Sequence, residues 1–176
     1  MKSSLVIDTC ALIHLMYIQR FYLLKELGYF VLTTIYVQLE FENERAISKD
    51  YFCNLVSNNE ISLYPLEIDD LVEMANIPQS KKASDAELSC FVVAKRIGGK
   101  AMTDDYTAID YIQRHVSMPP GSIITLFDML FEAYLSYWVL DYDLRDIQAK
   151  LSARKFNFQY EDIATECARR RWIIGE

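Results

Sequence analysis

Glycine and proline are scarce in this chain, five and four among 176 residues, which excludes a collagenous or low-complexity polypeptide. No uncharged apolar run approaches the roughly 20 residues that a membrane-spanning helix needs. The four cysteines, Cys10, Cys53, Cys90 and Cys167, form no C-x-x-C pair and have no histidine at zinc-site spacing. They are expected to be core thiols in a reducing compartment. Basic residues are outnumbered, 18 Lys and Arg against 25 Asp and Glu, and a net charge of −7 lacks the positive field of a duplex-DNA binder. Asp8 and His14 interrupt the apolar N-terminal stretch and no small-residue cleavage site follows, so a cytoplasmic protein without a signal peptide is expected.

What is present is ordinary globular composition, 52% apolar and 24% charged, in a length suited to one domain. Short apolar runs alternate with longer helical patterns through the first two-thirds, the mark of βαβ units and a parallel sheet. Strands are expected over 4–8, 30–34, 61–65 and 100–104, with a short fifth over 115–118. The clearest helix covers 84–98, where Ser84 and Glu87 form an S-x-x-E capping box and Gly98-Gly99 makes the stop. Further helical stretches run from Ala11 to Ile18 and from Ile35 to Glu42. After Pro119-Pro120-Gly121-Ser122 the pattern is of helices only, near 122–137, 142–155 and 160–172. The expectation is one domain over 1–176, an α/β core in 1–118 with C-terminal helices in 119–176.

The acidic residues fall at telling places. Asp8 ends the first strand, Asp104 and Asp105 end the fourth, and Asp85 opens the helix leading into it. In an open parallel sheet all strand ends of one sense share one edge, and ligands bind there near the switch in strand order. Glu40, about six residues past the second strand, is expected near that edge too. Each acid also has a plain local role: Asp8 and Asp105 as helix N-caps, Asp85 as an anion on a helix dipole, Glu87 in its capping box, and Glu40 on a solvated face. Gathered together, three or four carboxylates would raise one another's pKa unless a cation neutralised them. An oxygen-only donor set suits Mg²⁺ or Mn²⁺, and such ions activate water against a phosphate ester.

Leu5-Val6-Ile7-Asp8-Thr9, Val37-Gln38-Leu39-Glu40, Ser84-Asp85-Ala86-Glu87 with the following Ala94-Lys95-Arg96-Ile97-Gly98-Gly99, and Met102-Thr103-Asp104-Asp105 resemble, in order and spacing, the successive motifs of PIN-domain ribonucleases. The resemblance covers 4–118, and the helix over 122–135 is similar to the C-terminal helices of some prokaryotic members. It implies a three-layer α/β/α fold with a central parallel sheet of four to five strands and a C-terminal helical extension. It also implies a Mg²⁺- or Mn²⁺-dependent endoribonuclease acting on single-stranded or structured RNA. By position, Asp8, Glu40, Asp85 and Asp105 take the four catalytic acids, with Asp8, Asp85 and Asp105 as metal ligands and Asp104 as the alternative to Asp105. Thr9, Thr103 and Glu87 would stand behind them, orienting carboxylates or water. In PIN-like toxins a homodimer and a bound antitoxin are usual, so both are expected partners. Cys10 departs from the pattern, standing where many members have Ser or Thr.

Lys81, Lys82, Lys95, Arg96 and Lys100 flank the third and fourth motifs and offer either a basic rim for phosphates or solvated charge. His14 is read as making a local hydrogen bond, and Arg169-Arg170-Arg171 as a solvated helix end. Phe127, Phe131, Tyr134, Tyr137 and Trp138 fall at helical spacing and are read as core or as a dimer face. Rival classes are a Mg²⁺-dependent phosphatase, which would want an Asp at position 10, and a receiver-like domain, which would want a Lys near 115–119. The remaining rival is a PIN-shaped binding module without turnover.

Overall fold

A computed structural model describes residues 3–175. Five strands, β1 (Ser3–Ile7), β2 (Tyr29–Thr33), β3 (Ser62–Leu63), β4 (Lys100–Met102) and β5 (Ile123–Ile124), form one all-parallel sheet in the order β3-β2-β1-β4-β5. The chain winds outward in both directions from β1, so the strand order switches between β1 and β4.

Ten helices connect and follow the strands: α1 (Thr9–Ile18), α2 (Tyr22–Glu26), α3 (Ile35–Glu42), α4 (Ala46–Ser57), α5 (Ile68–Asn76), α6 (Asp85–Ile97), α7 (Tyr106–Ile112), α8 (Leu126–Leu135), α9 (Asp141–Ser152) and α10 (Ile163–Ile174). Successive strand residues point to opposite faces, yet Leu5, Val6 and Ile7 are all fully buried. Both faces of β1 are therefore covered by helices, an arrangement compatible with three layers.

Helix α6 is the axle of the core. Leu88 to Ala94 is one continuous buried run, so the helix is enclosed nearly all round. The expected capping box forms: Ser84 Oγ accepts from the Glu87 amide at 3.3 Å, and Glu87 Oε2 accepts from the Ser84 amide at 2.8 Å. Gly98 stops it in the left-handed region (φ +62°), and a Cβ on Gly99 would lie 2.8 Å from the Ser4 carbonyl oxygen. Bare backbone lets β4 start against β1.

The expected first, second and fourth strands and the 84–98 and 35–42 helices form within a residue or two. Two expectations are corrected. His115–Met118 is not a strand: the fifth strand is Ile123–Ile124, inside the segment read as helices only, where the Ser122 carbonyl accepts from Ala101 and the Ile124 carbonyl from Thr103. The turn at 119–122 thus feeds the sheet edge rather than ending the sheet. The C-terminal helices are also integral, since Leu126, Met129, Leu130, Leu144, Ile147 and Leu151 are fully buried.

Arg170 is not solvated. It is half-buried over the rings of Phe127, Phe131 and Tyr160 and pairs with Glu166 at 2.8 Å, which binds α10 to α8. Phe127 and Tyr134 are core, whereas Tyr137 and Trp138 are exposed. Among the cysteines only Cys90 and Cys167 are buried; Cys53 is exposed and Cys10 half-buried. Among the described residues no helix is long and apolar enough to cross a membrane.

Candidate active site

Each strand that ends at the switch delivers a carboxylate as the chain turns into the next helix. Asp8 follows β1 and caps α1: its Oδ1 accepts from the Ala11 amide at 2.9 Å, and the Cys10 thiol donates to its Oδ2 at 3.1 Å. It is 1% exposed. Burial pushes its carboxyl up from 3.8 to about 6, against hydrogen bonds from Thr103, Ala11 and Cys10 that pull it down, and the Asp104 charge adds to the rise.

Asp105 follows β4 and caps α7, its Oδ1 accepting from the Thr107 and Ala108 amides at 2.8 and 3.0 Å. Glu87 lies in the first turn of α6. Partial burial and the charges of Asp8 and Asp105 raise it from 4.5 to about 7, against the bonds from Ser84. Glu40 comes from the second turn of α3, where its Oε2 accepts from the Thr9 hydroxyl at 2.5 Å.

These local roles do not use up the acids. Asp105, Glu87 and Glu40 each commit one carboxylate oxygen to a structural hydrogen bond, and the other oxygen accepts none among the described residues. Asp8 spends its second oxygen on a thiol, a weak donor. Among the described residues no Lys or Arg pairs with any of the four; the ion pairs all lie elsewhere.

Asp85 is exposed and its side chain makes no hydrogen bond or ion pair among the described residues. Positions 85 and 87 are about 200° apart around α6, so only one of them can face the strand ends, and the field of Asp8 and Asp105 reaches Glu87. Asp104 is not an open ligand either. Its Oδ1 accepts from the Leu126 amide at 2.7 Å and its Oδ2 bonds His14 Nδ1 at 2.7 Å, so this buried carboxylate clasps α1 and α8 to the end of β4. His14, read from the sequence as making a local hydrogen bond, instead bonds across the fold to Asp104, and its ring packs on Phe156 at 4.1 Å.

Thr103 is fully buried. Its hydroxyl accepts from the Asp105 amide at 3.2 Å and lies 3.5 Å from Cys10 Sγ, while the Asp104 amide donates to that sulfur at 3.3 Å. Cys10, missed as a site residue by sequence reading, thus sits at the centre of the hydrogen bonding. Burial and the charges of Asp8 and Asp104 keep its thiol protonated, so it donates to Asp8 as a serine hydroxyl would.

The donors at this edge are oxygens of carboxylates and hydroxyls, the chemistry that Mg²⁺ and Mn²⁺ accept. Among the described residues no group of three or more His, Cys, Asp or Glu side chains is placed to hold a metal ion. The flanking cations are mostly spent: Lys95 pairs with Glu73 at 2.6 Å, Arg96 with Glu67 and Asp70 at 2.6 and 2.9 Å, and Lys100 with Glu132 at 3.5 Å. Lys81 and Lys82 are exposed and have no ion pair among the described residues. No family model matches the chain, and no curated protein matches it.

Proposed function

We propose that the protein is a metal-dependent endoribonuclease of PIN type, hydrolysing RNA phosphodiester bonds at the edge formed by Asp8, Glu40, Glu87 and Asp105. The observation that carries this is uncompensated charge near the switch in strand order: Asp8 and Glu87 are both pushed up, the charges of Asp8 and Asp105 act on Glu87, Glu40 is tied to the residue after Asp8, and none of the four has a cationic partner among the described residues. Asp8, Glu87 and Asp105 would hold Mg²⁺ or Mn²⁺, with Glu87 taking the place first given to Asp85. A bound divalent ion supplies neutralisation of the phosphate charge and acidification of water.

The chain's own residues divide the remaining work. Ala11 and Cys10 fix the Asp8 carboxylate by donating to both of its oxygens. The Thr9 hydroxyl holds Glu40 by one oxygen, leaving the other to accept a proton from the attacking water. Thr103 and Cys10 brace the turn that presents Asp105.

The test is cleavage of a labelled single-stranded RNA with Mn²⁺, with Mg²⁺ and with chelator, alongside Asp8→Asn. Metal-dependent cutting lost in the variant supports the reading. The alternative is a PIN-shaped module that binds without turnover. Binding of RNA or Mn²⁺ with no cutting by the wild type would select that reading. A second copy or an antitoxin peptide, the partners the resemblance implies, would find exposed apolar side chains at Tyr137, Trp138, Trp172, Ile173 and Ile174.

A further inference from the structure

Beside the acidic edge a groove of about 720 Å³ opens between α3, α5 and the loop that leads into α6. Its size is that of a ligand cleft, about 300–1,000 Å³. The floor is apolar, from Leu71, Met74 and Ile77, while Tyr36, Ser80 and Lys81 line the sides and the Asp85 carboxylate lies at the end toward α6, where a phosphate would be repelled. The groove is continuous with the site through two helices. Tyr36 and Glu40 are one turn apart on the same face of α3, and Ser84, at the groove's end, exchanges both capping hydrogen bonds with Glu87.

Charge and shape together select an occupant. Lys95, Arg96 and Lys100 are paired with carboxylates, so the cations near this edge that carry no ion pair among the described residues are Lys81, in the groove, and Lys82 beside it. An aromatic ring and an apolar floor next to a free ammonium match an unstacked base joined to a phosphate. A duplex hides its base faces and could not use the floor.

We infer that this groove seats the single RNA strand on one side of the scissile bond, Tyr36 stacking a base and Lys81 neutralising a phosphate. This rests on the nuclease reading and deepens it by naming where substrate lies and which side chains position it. Tyr36 and Lys81 are positioning residues, outside the acidic edge itself.

The test measures affinity of the Asp8→Asn full chain, with Mn²⁺, for a fluorescent single-stranded oligoribonucleotide, the same sequence as DNA, and its RNA duplex, across a salt series. Tyr36→Ala should weaken single-strand binding roughly tenfold with the salt dependence unchanged, and Tyr36→Phe should restore it. Lys81→Ala should weaken binding and reduce the slope of log affinity on log salt by about 0.7, the value for one phosphate contact on a single strand. Thermal melts of each variant check folding, and the exposed Lys81 gives an arm free of packing effects. Parental affinity in both Tyr36→Ala and Lys81→Ala, or equal binding of duplex or DNA, overturns the inference. With Asp8 restored, metal-dependent cutting at an unchanged KM in both variants removes the groove and leaves the nuclease reading standing. A parent chain that binds no strand, with a wild type that cuts none, removes both.

Discussion

At the level of single residues, the cost of keeping Asp8 buried should be measurable. Its carboxyl is raised from 3.8 to about 6, so the fold favours the neutral form. That contribution to stability is complete below about pH 4 and is lost as pH rises through about 6, to a total on the order of 3 kcal/mol at neutral pH. Glu87, raised to about 7, moves stability in the same direction. In chelator the melting temperature should therefore fall between pH 5 and pH 7.5, and Asp8→Asn should flatten that fall and raise the melting temperature at pH 7.5. A melt that rises over the same interval in the wild type would contradict the burial cost. Mn²⁺ should restore stability at pH 7.5 in the wild type and not in Asp8→Asn, as read by differential scanning fluorimetry.

A second pair of residues separates the rival third acids. Glu87→Gln keeps the capping geometry and should cost at least about 100-fold in cutting rate. Asp85→Asn should not reduce it, since that side chain faces the groove mouth and the change removes a charge that repels phosphate. Equal losses in both variants would place both carboxylates at the edge.

Among the elements, the joint between β4, α1 and α8 carries the largest expected penalty. Asp104 accepts from the Leu126 amide and bonds His14 while nearly buried. Asp104→Ala strands both partners and should destabilise the fold by about 2–4 kcal/mol in chemical denaturation, with Asp104→Asn costing less because the amide oxygen can still accept from Leu126. The strands and helices that sequence could reveal were those with a full period to read: five-residue β1 and β2, and α6 with its box and glycine stop. β5 has two residues, too few to alternate, and Pro119-Pro120 before it signals a break, so it was legible only by pairing. The placement of Asp8 and Asp105 after strand ends and of Glu40 on α3 was legible because the strand pattern and the turns after it set those positions. Glu87 reads only as standing behind the acids because its capping box is a sufficient local explanation, and the hydrogen bonds of the Cys10 thiol were not legible because a thiol reads as a small apolar side chain.

For the whole molecule, the 119–176 segment shares the buried core of the residues before it. It supplies β5, the partner of Asp104, and the buried faces of α8 and α9. A chain ending at Gly121 should show no cooperative thermal transition and should expose apolar surface to a dye such as ANS, whereas loss of α10 alone should leave a weakened transition. A cooperative melt from the shortened chain would make the helices an accessory layer.

The double duty that the nuclease reading gives the acids also bears on how such a sequence can change over time. Asp8 and Asp105 each begin a helix, so on that reading most replacements that silence chemistry would also loosen α1 or α7. A descendant that abandoned turnover and kept its shape would be steered toward Asn or Ser at positions 8 and 105, residues that cap almost as well. On the nuclease reading, loss of turnover would leave polar, shape-preserving substitutions as its trace rather than alanines.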